Sequence, residues 1–210
     1  MKTEEKIIAK ALEMFNERSV EYVGIRELAA TLGIRVSNIT YYFPTKDDLV
    51  FRLVMDLTHL NSTLVHQETT QTLLSFLQTR RKTFQHQLQY RCLMLSFVQI
   101  MEQNKKVATR YETTQEERRT GLFDDLTALI QHGYFNERGV AGLDFLIAVI
   151  ALTSRFWISE AAVSYRHLSP EAQMNHYLSM IAQLLLPYVS QKGEKEIREF
   201  LEELGHSPNS

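Results

Sequence analysis

The positions of proline constrain the fold of this chain more than any other feature of its sequence. Proline occurs only at positions 44, 170, 187 and 208 of 210 residues, so long stretches lack the residue that most strongly interrupts helices. Apolar residues recur in these stretches at helical spacing, and the period-two alternation of half-buried strands is nowhere sustained. The pattern predicts an all-α protein.

Composition narrows the class of protein further. Apolar residues make up 44% and charged residues 23% of the chain, with a net charge of −2, which is typical of a soluble globular protein. There is no overall basic field, so any contact with nucleic acid must come from a local patch. The single cysteine, Cys92, excludes a disulfide framework and a multi-cysteine zinc site within one chain, and favours a reducing cytoplasm.

Neither the N-terminus nor the most apolar segment predicts a membrane protein. The first six residues are mostly charged or polar and lead into an amphipathic stretch, unlike a signal peptide. The most apolar run covers residues 145–152 and ends at Thr153, short of the roughly 20 residues that cross a bilayer. We therefore expect a buried helix there and no membrane association.

Four helices are predicted near the N-terminus, at Glu4–Glu17, Ile25–Leu32, Val36–Phe43 and Lys46–His66. Gly33 follows the second helix, where a left-handed residue commonly ends one. Pro44 closes the third helix, and residues 45–48 have the form of a capping box that starts the fourth. Longer helices are expected at 70–90, 91–104, 106–132, 140–166 and 170–189. An acidic tail at 194–203 is expected to form a short exposed helix followed by a frayed end.

The second and third helices have the spacing of a helix-turn-helix, whose second helix enters the major groove of DNA. Val36, Ile39 and Phe43 share one face, which we expect to pack inward. The opposite face carries short hydrogen-bonding side chains suited to base edges and phosphates. Between residues 35 and 46 there are two cations and no acidic residue.

The segment from Ile7 to Leu49 resembles the DNA-binding domain of the TetR family of bacterial transcription regulators. The resemblance rests on Ala11-Leu12-Glu13-Met14-Phe15, Ile25-Arg26-Glu27-Leu28-Ala29, Gly33-Ile34 and Tyr41-Tyr42-Phe43-Pro44-Thr45-Lys46-Asp47-Asp48-Leu49. It implies an N-terminal three-helix domain at 1–48 and a larger helical domain at 49–210 for effector binding and dimerisation. It also implies DNA contacts at Arg26, Arg35, Val36, Ser37, Asn38, Thr40, Tyr41, Tyr42 and Lys46.

The sequence departs from the family at three places. Ser19 stands where a loop glycine is usual, Gly24 stands where a serine or threonine caps the second helix, and Thr40-Tyr41-Tyr42 replaces the common Tyr-x-His before the phenylalanine. The last change leaves the division of base and phosphate contacts open. Arg26 pairing with a carboxylate, Lys46 as a solvated lysine and Tyr42 as partly packed core remain alternatives.

The helices predicted at 140–166 and 170–189 are apolar on more than one face, which requires two packing partners. One partner is the chain itself, and the other is a second subunit in an isologous four-helix interface. An intrachain core is the alternative. The predicted interface residues are Ile150, Trp157, Ile158, Tyr177, Ile181, Leu184, Leu185 and Tyr188.

An effector pocket is expected among the helices between residues 50 and 166. Its candidates are polar or aromatic residues within apolar runs: Tyr90, Arg91, Cys92, Ser96, Gln99, His132, Arg155 and Trp157. An arginine among apolar residues needs an anion or an acceptor, which either an effector or an internal carboxylate such as Glu160 or Asp144 supplies. For Cys92 the sequence favours a small buried apolar residue over a redox sensor.

No enzyme motif is present, including His-Glu-x-x-His, a phosphate-binding glycine loop, Gly-x-Ser-x-Gly or CxxC. We predict no catalytic residue, metal or cofactor. The sequence predicts a bacterial cytoplasmic regulator that binds a palindromic DNA operator as a homodimer and responds, as a repressor, to a small molecule. The alternatives are a non-transcriptional DNA-binding module and a small-molecule binding protein that retains the fold.

Overall fold

The computed structural model describes residues 2–64 and 71–205, and every regular element in them is a helix. The helices are α1 (Thr3–Tyr22), α2 (Ile25–Leu32), α3 (Val36–Tyr42), α4 (Lys46–Ser62), α5 (Leu73–Gln89), α6 (Arg91–Leu95), α7 (Phe97–Gln103), α8 (Lys105–Gln131), α9 (Glu137–Ala141), α10 (Leu143–Ser164), α11 (Pro170–Leu185), the 3-10 helix Leu186–Tyr188 and α12 (Gln191–Glu203). The all-α prediction is confirmed. The chain forms two compact units, one of residues 1–62 with 86–112 and one of 63–85 with 113–210.

The first unit is built on α1 to α4 together with α6, α7 and the start of α8. Their apolar side chains share one core, which includes Ile7 of α1, Ile39 of α3, Leu49 of α4 and Cys92 of α6. The core holds the helix-turn-helix from behind and leaves the other side of α3 exposed.

The backbone of α1 is interrupted at Ser19, where φ is 71° and ψ is 155°. The first helix was predicted to end at Glu17, and the chain instead breaks at Ser19 and resumes one turn to Tyr22. Residues other than glycine rarely adopt these φ and ψ values. The residue where the family has glycine is therefore a non-glycine held at a positive φ.

The predicted signals at the ends of the short helices are confirmed. Gly33 adopts the left-handed conformation, with φ 66°, and its N–H donates to the carbonyl oxygen of Ala30 at 3.1 Å. The Thr45 N–H donates to Asp48 Oδ2 at 3.0 Å, and the Asp48 N–H donates to Thr45 Oγ1 at 3.2 Å. This reciprocal capping box fixes the first turn of α4.

The single helix predicted at 91–104 is wrong, because the chain breaks at Ser96 into α6 and α7. Ser96 is buried and has φ −94° and ψ 16°. No proline or glycine marks this break, so local sequence gives no sign of it. Part of the helix end predicted at His66, and the start predicted at residue 70, lie outside the described residues.

The second unit contains a short helix, α9, where a single helix was predicted to begin at residue 140. Asn136 caps α9 by accepting from the N–H groups of Arg138 and Gly139, and its amide donates to the carbonyls of Pro187 at 3.2 Å and Val189 at 3.0 Å. Asn136 therefore ties the start of α9 to the segment before α12.

The prediction that the acidic tail is an exposed helix is wrong, because Ile197, Phe200 and Leu201 of α12 are buried. A glycine allows α12 to pack closely against the same region. A Cβ atom at Gly193 would lie 2.6 Å from the carbonyl oxygen of Tyr134 and 2.8 Å from Cβ of Val189. The Tyr134 hydroxyl donates to Glu196 Oε1 at 3.0 Å, and burial raises the pKa of this hydroxyl. Glu196 Oε2 accepts the Leu74 N–H at 2.8 Å and so caps α5.

The structure places most of the predicted interface residues inside the chain. All eight except Leu184 and Tyr188 are buried in the isolated subunit. The exposed apolar stripe of α10 consists instead of Phe145, Leu152 and Val163, of which the last is 70% exposed. The intrachain core that was the alternative therefore accounts for the six buried residues.

Helix α10 lies within the helix predicted at 140–166 and extends beyond the apolar run at 145–152. Among the described residues, α10 is the one helix long and apolar enough to cross a membrane, although core helices of soluble proteins satisfy the same criterion. It also carries Asp144, Arg155 and Glu160. A single long apolar helix of this kind is weak evidence for a membrane location.

Candidate nucleic-acid interface

The exposed face of α3 presents neutral hydrogen-bonding side chains. Ile39 and Phe43 are buried and anchor the helix, whereas Ser37, Asn38 and Tyr41 are exposed. Thr40 is half-buried, and its hydroxyl lies 3.5 Å from the Ser37 carbonyl oxygen. The predicted polar face is therefore exposed to solvent and accessible to DNA.

The prediction that Val36 packs inward is wrong, because its side chain is 39% exposed. Val36 is the first residue of α3, so only Ile39 and Phe43 lie deep enough to reach the core. Its exposure agrees with the other role predicted for it, at the start of the recognition helix.

Two exposed arginines flank this face. Arg26 and Arg35 are both exposed, and neither forms an ion pair with a residue in the described part of the chain. The nearby carboxylate of Glu27 is instead paired with Arg18, at 2.5 Å. Among the described residues, Arg26 thus lacks the carboxylate partner that was the alternative to a DNA contact.

Tyr41 and Tyr42 form a small aromatic projection at the end of α3. Their ring centroids lie 5.0 Å apart with an interplanar angle of 89°, an edge-to-face contact. Tyr41 is 80% exposed and Tyr42 is 41% exposed. Tyr42 therefore supports Tyr41 from the side while keeping its own edge accessible.

Lys46 does not project freely from the start of α4. Its Nζ donates to the carbonyl oxygen of Glu21 at 3.3 Å and lies 6.0 Å from the centre of the Phe15 ring. Partial burial lowers the pKa of this ammonium group, while the charges of Glu21 and Asp47 oppose that shift. The lysine thus ties α4 to the end of α1, a role that was not among the predicted alternatives.

The predicted pocket residues fall into the two units of the chain. Five lie in the first unit and three in the second: Tyr90, Arg91, Cys92, Ser96 and Gln99, then His132, Arg155 and Trp157. Cys92 and Ser96 are buried, whereas Arg91 and Gln99 are exposed. Burial raises the pKa of the Cys92 thiol to about 12 and also raises the pKa of Tyr90.

The three candidates of the second unit differ in environment. His132 is exposed, with Nδ1 3.3 Å from the Gln71 carbonyl oxygen. Arg155 donates to Gln115 Oε1 at 2.6 Å. Trp157 is buried and stacks on Phe84, with ring centroids 4.8 Å apart and an interplanar angle of 6°.

Sequence reasoning missed a cationic position in the second unit. Arg80 lies with its guanidinium 5.0 Å from the Phe76 ring centre and 3.5 Å from Asp125 Oδ2, and its Nε is buried without a hydrogen-bond partner. Burial lowers its pKa. The run Arg80-Arg81-Lys82 on a helix without acidic residues was the available signal. No group of three metal-ligating side chains occurs in residues 2–64 and 71–205.

Two family descriptions match the chain. "Bacterial regulatory proteins, tetR family" matches residues 7–53, and "Bacterial transcriptional repressor", TetR, matches residues 57–197. A curated Bacillus subtilis protein named "Probable HTH-type transcriptional regulator YttP" is 35% identical over 54 residues, which are 26% of each chain. The match thus spans about a quarter of that relative.

Solved structures match over nearly the whole length. A TetR-family transcriptional regulator from Marinobacter aquaeolei VT8 has a TM-score of 0.87 at 16% identity, over 97% of this chain and 99% of that one. A transcriptional regulator from Saccharomonospora viridis in complex with choline has a TM-score of 0.70 at 16% identity, over 90% and 98%. At these identities the likeness shows the fold.

Proposed function

Because the chain belongs to the TetR family of bacterial transcriptional regulators, we propose that it represses transcription from a palindromic operator as a homodimer and is released by a small molecule. The observation that carries this proposal is the exposed face of α3, with Ser37, Asn38 and Tyr41 open to solvent. We place the protein in the bacterial cytoplasm and propose no enzymatic activity for it.

The chemistry of this face suits a DNA groove. Amide and hydroxyl groups of Asn38 and Ser37 donate to and accept from base edges. Arg26 and Arg35 are exposed and available to phosphates, since no carboxylate of residues 2–64 and 71–205 pairs with them. Tyr41 projects far enough to pack against the sugar-phosphate backbone. Lys46 reaches a phosphate only after its bond to Glu21 opens, so we assign it a smaller share of the binding than the resemblance implies.

One such module offers few phosphate contacts, and affinity depends on their number. Two modules on a two-fold axis contact successive major grooves about 34 Å apart. We propose that subunits associate through the exposed stripe of Phe145, Leu152 and Val163, together with Met180 of α11 and the partly exposed Leu184 and Tyr188 of the predicted set. An exposed apolar stripe of this length favours a partner over solvent.

We propose that the effector binds in the helical domain after residue 48. The structural relative from Saccharomonospora viridis was solved with choline, which supports a small-molecule role for this fold without identifying the ligand here. The predicted pocket residues of the second unit, with Arg80, are the first positions to test. Effector and DNA weaken each other's binding by the same factor, because coupling free energy is reciprocal.

The test is binding of the purified protein to DNA from upstream of its own gene, measured by fluorescence anisotropy with a scrambled duplex as control. Tyr41→Ala should weaken binding about tenfold or more, and Arg35→Ala should also lower the salt slope by about one. Arg119→Ala removes an exposed cation of the second unit and should change neither.

If Tyr41→Ala and Arg35→Ala both kept full specific binding, the proposed DNA-binding surface would be contradicted. A protein that binds effector but no duplex would be a small-molecule binding protein with this fold. Sites found only away from promoters would indicate a non-transcriptional DNA-binding module. Sedimentation should give a dimer for the wild type, and Leu152→Glu should give a monomer with much weaker operator binding.

A further inference from the structure

Two asparagines of the first unit use both ends of their side-chain amides to join segments that are far apart in sequence. Asn16 of α1 donates from Nδ2 to the carbonyl oxygen of Gln89 at 2.7 Å. Its Oδ1 accepts the N–H of Cys92 at 3.0 Å. One side chain therefore holds α1 against the junction of α5 and α6.

This junction supplies the groups that Asn16 satisfies. Helix α5 ends at Gln89 and α6 begins at Arg91, while the intervening Tyr90 makes no side-chain cap. Carbonyls at a helix end and N–H groups at a helix start lack partners within their helices. Asn16 supplies one donor and one acceptor, so the position of α1 is fixed relative to the bend.

Asn104 plays the equivalent part for α4. It is 4% exposed and precedes α8, where its Oδ1 accepts the N–H of Val107 at 3.2 Å. Its Nδ2 donates to the carbonyl oxygen of Asp47, in the first turn of α4, at 2.8 Å. Lys106 adds an ion pair to Asp48 in the same turn.

These contacts grip the two helices that surround the recognition helix. Ile39 of α3 and Phe43, which follows α3, share their core with residues of α1 and α4. The helices at the other end of the contacts, α5 and α8, continue along the chain into the residues of the second unit. The two amides therefore add specific hydrogen bonds to the shared apolar core that joins those helix ends to α3.

We propose that Asn16 and Asn104 are positioning residues that set the orientation of α3 for DNA, and that a change at the ends of α5 or α8 reaches α3 through them. This inference rests on the proposed function. Both side-chain amides are used in internal hydrogen bonds, so their loss should relax the geometry that the protein requires of its operator rather than remove its base contacts.

The test uses the spacing between operator half-sites. A duplex selected by the wild-type protein from a random-sequence library is remade with one base pair added or removed between its halves. The preference of the wild type for its own spacing should fall about tenfold in Asn16→Ala and in Asn104→Ala, since two hydrogen bonds of ordinary net strength change an equilibrium by about that factor. Binding is corrected for the folded fraction by circular dichroism.

Asn136→Ala is the matched control. Asn136 also uses both ends of its amide, but it joins α9 to the carbonyls of Pro187 and Val189 in the second unit. This variant should lose a similar amount of stability and keep the wild-type spacing preference. Amide hydrogen exchange gives a second readout without DNA, because Asn16→Ala should speed exchange at Cys92.

The outcomes separate the two proposals. An unchanged spacing preference in both Asn16→Ala and Asn104→Ala, or an equal loss of that preference in Asn136→Ala, would overturn the positioning role. The proposed function as a DNA-binding regulator would be unaffected by either result. Unchanged exchange at Cys92 would show that Asn16 does not hold the junction. A wild-type protein that selects no sequence would overturn the proposed function itself.

Discussion

Replacing Ser19 by glycine should stabilise the first unit. Ser19 has φ 71° and ψ 155°, a conformation that is nearly exclusive to glycine and costs another residue about 1–3 kcal/mol. Glycine gives back about 0.4–1 kcal/mol through the greater freedom of its unfolded chain. The net gain in the free energy of unfolding is about 1 kcal/mol, or roughly 2–4 °C in a chain of this length.

The matched variant is Ser19→Ala, which keeps the Cβ atom and therefore the strain. The midpoint temperature of thermal unfolding, followed by far-ultraviolet circular dichroism, should be higher than in the wild type for Ser19→Gly and not for Ser19→Ala. Trp157 is the only tryptophan and lies in the second unit, so its fluorescence reports a region that the substitution does not touch. An unchanged or lower midpoint for Ser19→Gly, with no difference from Ser19→Ala, would refute the strain argument.

Two further predictions concern charge and packing. The hydrogen bond from Lys106 lowers the pKa of Asp48, so the contribution of Asp48 to stability is complete above the unfolded pKa and is lost as pH falls through the folded value. In urea unfolding, Asp48→Asn should destabilise the protein at pH 7 and lose this effect near pH 2. Asp47→Asn, which leaves the ion pair between Lys106 and Asp48 in place, is the control. Gly193→Ala should destabilise by about 2 kcal/mol or more through the close contacts of its new Cβ. Gly121→Ala, in a helix with open space around it, should instead stabilise by about 0.5–1 kcal/mol, and a loss there with no loss at Gly193 would contradict both arguments.

The features that the sequence predicted correctly are determined by neighbours in the chain. The left-handed turn at Gly33 and the capping box at Thr45 and Asp48 depend on residues three or four positions apart. The burial of Ile39 and Phe43 follows from helical periodicity. These local rules were enough to define the helix-turn-helix and its exposed face.

The features that were missed depend on distant parts of the chain. Periodicity shows that Trp157 and Tyr177 belong to apolar faces, but it does not say whether the chain or a second subunit covers them. Lys46 could be recognised as a lysine at a helix start, whereas its bond to Glu21 is visible only in three dimensions. The bonds from Asn16 to Gln89 and Cys92 and from Asn104 to Asp47 span more than fifty residues and leave no pattern in the sequence.

Because Cys92 is buried, we expect the folded protein not to react with thiol reagents. Its thiol is fully enclosed, with a pKa raised to about 12 by burial, and it is the only cysteine in the chain. Alkylation requires an accessible thiolate. The rate at which a maleimide or iodoacetamide labels the native protein therefore measures how often local unfolding of the first unit exposes Cys92. A cysteine introduced on the surface of α3 would react alone and carry a probe to the helix that meets DNA.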